Sequence, residues 1–109
     1  MRPVFTNNIV RIDNNKLFVD FGNEMYVYSF FELNRISILT TEERLLNDKV
    51  FLVFDTCNEV YVMGITHPGF KDVLFNQIVE LFDLDYDKVI DAMQHTGNHN
   101  YVLCDRNAD

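Results

Sequence analysis

The chain has 109 residues, enough for one domain, spanning 1–109, and too few for a second. Nearly half are apolar, with ten Phe and five Tyr, so an independent core is within reach and disorder is expected only near the ends. Nine basic residues against seventeen acidic ones give a formal charge of −8, which disfavours nucleic acid and anionic membranes and favours basic partners.

The first eight residues hold no apolar run of signal-peptide length, and no stretch approaches the apolar length of a membrane span. A cytoplasmic location is expected, with Cys57 and Cys104 kept as thiols. Ile9 to Ile12 is a short apolar run closed by the turn-forming Asp13-Asn14-Asn15. Leu17, Val19 and Phe21 then alternate with Phe18 and Asp20, the period of a strand. Gly22-Asn23 suits a tight hairpin turn, so this strand should pair antiparallel with Met25 to Phe31.

Arg35 to Thr40 is a further strand, with Ile36 and Ile38 on one face. The period breaks over Thr41 to Asp48, which reads as a loop or a single helical turn. Val50 to Phe54 is apolar on both faces, as in a central strand covered on both sides. After the turn Asp55-Thr56-Cys57-Asn58, Val60 to Met63 is its hairpin partner.

Helical spacing begins at Phe70, with Thr66 or His67 and Pro68 as its start. Phe70, Leu74, Ile78 and Leu81 form an inner stripe, and Asp72, Asn76 and Glu80 an outer one. Phe75, Val79 and Phe82 widen the apolar arc, so either the next helix covers them or they form a contact surface. Asp85 caps a second helix over Tyr86 to His95, with Gly97 as its stop. Its inner face is Tyr86, Val89, Ile90 and Met93, and its outer face Asp87, Asp91 and Gln94. Tyr101 to Cys104 is a closing strand. The expected fold is α+β: an antiparallel sheet of about five to six strands, two helices packed on it, and a short C-terminal strand.

Chemistry-bearing residues are scattered. His95 and His99 are four apart, but Gly97 between them breaks a shared helical face, and no cysteine spacing matches a zinc site. Cys104 reads as a small core hydrophobe. Asp83-x-Asp85-x-Asp87 matches a calcium loop for three residues only, lacking its glycine and closing glutamate. Neither a phosphate-cradling glycine loop nor a nucleophile elbow occurs. No metal, cofactor or catalytic residue is therefore expected. A concave pocket holding His67, His95 or His99 beside a carboxylate would revive an enzymatic reading.

The charge distribution gives direction. Asp72, Glu80, Asp83, Asp85, Asp87 and Asp91 stand against the single Lys88 within that stretch. One reading is an ordinary solvated face. The other is an acidic surface that steers a basic protein partner, with these six residues as its binding set.

Ile36-x-x-x-Thr40-Thr41, Asp48-x-Val50-Phe51-x-Val53 and Asp85-Tyr86-x-x-Val89-x-x-Ala92-Met93-x-x-Thr96-x-Asn98 carry a resemblance. From Ile36 onward the chain resembles small bacterial proteins that look like immunity proteins of toxin systems, including the contact-dependent inhibition type. It departs from them at Glu43-Arg44-Leu45-Leu46, where a Gly-Pro turn is usual, and at Cys104-Asp105, where an aromatic residue is usual. The resemblance implies a cytoplasmic inhibitor of a cognate protein toxin and assigns no residue a role. The alternative is a small non-catalytic regulatory or ligand-binding module resembling pleckstrin-homology domains, although no Lys/Arg cluster suits a phosphoinositide.

Overall fold

In the computed structural model, which describes residues 3–5, 10–13, 16–20, 24–29, 32–45, 48–56 and 59–105, the chain folds as α+β. The strands are β1 (Pro3–Phe5), β2 (Val10–Asp13), β3 (Lys16–Asp20), β4 (Met25–Ser29), β5 (Leu33–Leu45), β6 (Asp48–Thr56) and β7 (Val60–Gly64). A π-helical segment (Asp72–Ile78), the helical turn α1 (Val79–Leu81), helix α2 (Tyr86–Met93) and strand β8 (His99–Asp105) follow. The strands divide into two sheets, one ordered β1-β7-β6-β5-β8 and one ordered β2-β3-β4. Among the described pairings all are antiparallel except β1 with β7. The Gly22-Asn23 turn lies outside the described residues, but the two strands it joins pair from Lys16↔Ser29 to Asp20↔Met25.

The register of the larger sheet explains the core. Ile36 pairs with Phe54 and Phe54 with Tyr61, while Ile38 pairs with Leu52 and Leu52 with Met63. Residues directly opposite share a face, so these six side chains form two adjacent rows on one side of the sheet, and none is more than 2% exposed. Each side chain buried to this degree contributes roughly 1.5–3 kcal/mol of transfer free energy before chain entropy is set against it. Leu17, Val19 and Tyr28 of the smaller sheet join this core, as do Phe70, Val73, Leu74 and Ile78 of the helical layer. The Tyr28 and Tyr61 hydroxyls hydrogen-bond at 2.6 Å with their rings 5.6 Å apart, tying the two sheets together. Phe51 and Val62 are buried on the opposite side of the larger sheet, so β6 is indeed covered on both faces.

Three sequence expectations are corrected. The first concerns Thr41 to Asp48, where β5 runs on to Leu45 and β6 begins at Asp48. A register shift between Thr40 and Leu45 lets this polar stretch stay in the sheet. The Thr41 hydroxyl donates to the Glu43 carbonyl at 2.7 Å, and the Glu42 amide donates to Asn98 Oδ1 at 2.8 Å, replacing ladder partners.

The second is the phase of the first helix. Leu81 is 43% exposed, and Val79 takes a core position instead. The cause is the π-helical segment, whose five-residue hydrogen bonding (Val79 N–H to the Leu74 carbonyl) brings Val73 over Ile78 and Leu74 over Val79. An α-helical projection misses this shift.

Third, α2 ends at Met93, and Tyr86 is 54% exposed while Ala92 is buried. Gly97 does not cap the helix, because Gln94 does. Gly97 instead adopts φ 89°, a left-handed conformation suited to glycine, in the turn that feeds β8.

Candidate functional site

All six acidic residues singled out from the sequence are exposed. They lie along the helical layer and the turn within it, but they are not equivalent. Asp72 accepts hydrogen bonds from Asn76 Nδ2 at 2.8 Å and Gln77 Nε2 at 2.9 Å, so its own helix holds its carboxylate. Asp85 is the N-cap of α2, where Oδ1 accepts from the amides of Asp87 and Lys88 at 3.0 and 3.4 Å. Asp83 adopts φ 52° in the connecting turn, a conformation that Asp tolerates better than most residues. Glu80, Asp87 and Asp91 complete the set on α1 and α2. Of the wider apolar arc, Phe75 packs on the Tyr86 ring at 5.0 Å and against the core, Val79 is buried, and Phe82 packs on the core.

A second feature sits where the root of the β5–β6 hairpin meets the end of α2. An open cleft of about 520 Å³ is lined by Thr41, Glu42, Lys49, Val50, Met93, His95, Thr96 and Gly97. Its wall is held by the buried Thr40, whose hydroxyl donates to the Gly97 carbonyl at 2.9 Å, and by the Asn98 contact to the Glu42 amide. The loop after α2 also carries His95 back over β8, so the His95 and His99 rings meet at 4.3 Å although no helix face joins them. Spacing along the sequence does not show this, because the approach depends on the Gly97 turn. Glu42 and His95 thus line one concavity. Among the described residues no group of three or more His, Cys, Asp or Glu side chains is placed to hold a metal ion. His67 lies elsewhere, its Nδ1 accepting from the Gly69 amide at the start of the helical layer.

Other polar groups are committed to the fold. Asp48 is buried, and its carboxylate accepts from the Thr66 amide and hydroxyl, fixing the turn out of β7. The carboxylate lies over Gly64, where an added Cβ would collide with Asp48 Oδ2. Any side chain there would have to displace this carboxylate from its bonds to Thr66. Every buried side-chain nitrogen or oxygen among the described residues has a partner, so no orphaned group marks a ligand. Cys104 packs against the core, and burial, then the neighbouring Asp105, raises its thiol pKa, which suits a packing role. Cys57 lies outside the described residues.

The smaller sheet shows a surface that sequence reasoning did not single out. On β4, Met25, Tyr26 and Val27 are 49%, 44% and 45% exposed. Glu24 accepts the Tyr26 hydroxyl at 2.6 Å, and that hydrogen bond, followed by the charge of Glu24, raises the Tyr26 pKa. Among the described residues, no helix is long and apolar enough to cross a membrane. No protein-family model, no curated protein and no solved structure matches the chain.

Proposed function

We propose that this chain is an immunity-type inhibitor: it binds a cognate, basic protein toxin and neutralises it by covering the toxin's active surface. The observation that carries the reading is the exposure of all six carboxylates on the helical layer, opposed within that stretch by Lys88 alone. A surface of one sign raises the encounter rate with an oppositely charged partner and disfavours wrong ones. Co-expression with the product of the neighbouring gene, followed by affinity purification, tests it. The expected result is a stable one-to-one complex and rescue of growth; no complex and no rescue would end the reading.

Asp83, Asp87 and Asp91 are the positions for charge reversal, since Asp72 is tied to its own helix and Asp85 caps α2. Asp83→Lys, Asp87→Lys and Asp91→Lys together should slow association and flatten its salt dependence, as stopped-flow measurements would show. Unchanged rates would remove this face from the account.

The cleft beside His95 favours a second reading, a small ligand-binding module. Its floor is apolar through Val50 and Met93, while Glu42, Lys49 and His95 offer both charge signs and an imidazole. A ligand screen that shifts the amide signals of 41–42, 49–50 and 93–97 would support this reading over the inhibitor.

A further inference from the structure

Strand β4 lies at one edge of the smaller sheet, and its sequence, Met-Tyr-Val-Tyr-Ser, is uncharged. Native edges are shielded by charge, proline or bulges because an open ladder invites another strand. Strand β8, at an edge of the larger sheet, follows that rule with Asp105 and a register shift against β5. Strand β4 has no charge or proline of its own and an unshifted register with β3, and the Ser29 amide at its end donates to the Glu32 carboxylate at 3.1 Å. The pairings Phe18↔Val27 and Asp20↔Met25 place Met25, Val27 and Phe18 on one face of the sheet, opposite the face on which Leu17, Val19 and Tyr28 enter the core. Met25, Val27 and Phe18 thus form an apolar patch beside an uncharged strand, with Lys16 and Asp20 at register positions on the same face.

Charge decides what fits there. Glu24 and Glu32 are exposed at the two ends of β4, and Glu59 is near enough to contribute to the raised Tyr26 pKa. A second copy of this chain, formally −8, pairing antiparallel along β4 would bring these carboxylates together. A basic strand would instead bring its ammonium groups to them. We propose that β4 is a docking edge for an extended, basic segment of a partner protein, which adds as a fourth strand and lays apolar side chains over Met25, Val27 and Phe18. This rests on the partner being a basic protein, as in the inhibitor reading, but it uses a different surface from the helical carboxylates.

The test uses the full chain and synthetic twelve-residue probes: an alternating Val-Lys peptide, its Val-Glu counterpart and the β4 sequence itself. The expected result is that the Val-Lys peptide shifts amide signals over residues 24–29 and the Val-Glu peptide does not. Met25→Lys with Val27→Lys should weaken binding about tenfold or more, whereas charge reversal at Asp83, Asp87 and Asp91 should leave it within about twofold. No shift over residues 24–29, or equal shifts from the acidic peptide, would overturn the proposal. So would a sedimenting dimer or binding of the β4 peptide, since a second copy would then be the occupant. The two proposals fail separately. Peptide binding at β4 without toxin rescue removes the inhibitor reading alone, and toxin rescue untouched by the β4 substitutions removes the docking edge alone.

Discussion

Strands β4 and β6 are built from similar residues and have opposite surroundings. Val50-Phe51-Leu52-Val53-Phe54 of β6 is flanked by β5 and β7, and its Phe51, Leu52 and Phe54 are at most 1% exposed. Met25-Tyr26-Val27-Tyr28 of β4 has β3 alone beside it among the described strands of the smaller sheet, and its first three residues are nearly half exposed. An apolar run therefore states a capacity for burial. The neighbours on either side decide whether that capacity is used in the core or left at the surface.

The largest expected effect comes from truncation in β6. Phe54→Ala should cost about 3–5 kcal/mol in denaturant unfolding, combining lost transfer energy with a cavity. Val27→Ala should cost no more than about 0.5 kcal/mol, as at an ordinary surface position. A cost for Val27→Ala near that of Phe54→Ala would break the contrast between the strands.

Packing beside β6 should be nearly as sensitive. Gly64→Ala forces a methyl into the Asp48 carboxylate and should cost about 1–3 kcal/mol. The same substitution in an Asp48→Ala background should cost less, because the obstructing oxygens are gone. Additive costs in that double-mutant cycle would show that the glycine serves something other than space.

Asp85→Ala should cost about 1 kcal/mol by removing the α2 cap, with the loss visible as reduced thermal stability. Were the cost absent, Asp85 would be as free for a partner as Asp87 and Asp91.

The contact between the sheets is sharpened by pH. Burial, and then the Tyr28 hydroxyl, holds the Tyr61 phenol above its ordinary pKa of 10.0. Folding thus favours the protonated phenol, so its contribution is whole below pH 10 and is lost as pH rises beyond that value. Tyr61→Phe should cost about 0.5–1.5 kcal/mol at neutral pH, the net worth of one hydrogen bond. It should also lessen the alkaline destabilisation, measured by unfolding the two proteins side by side from pH 8 to 11.

The α+β order, the β3–β4 and β6–β7 hairpins, the central place of β6 and the Asp85 cap were legible because each depends on local period or turn chemistry. The misread features depend on contacts far along the chain. Thr41 and Glu42 look like loop residues until Asn98 supplies a partner to the strand. Leu81 looks like core until the π-helical segment changes the phase by part of a turn. His95 and His99 look separate until the Gly97 turn folds one over the other. Of the candidate surfaces, the helical carboxylates were readable because exposed charge follows helical spacing. The cleft was not, because its lining comes from β5, β6 and the loop after α2.

The pairings of β1 with β7 and of β5 with β8 also set a clock. Residues 3–5 must find 60–62, and residues 35–40 must find 99–105, before the larger sheet has its full width. Closing loops of that length costs entropy before any contact repays it, and chains dominated by such pairings fold on roughly millisecond-to-second times rather than microseconds. During that interval β5 has an open side where β8 will lie. A newly synthesised copy is therefore most exposed to aggregation and proteolysis while this long strand waits for its second neighbour.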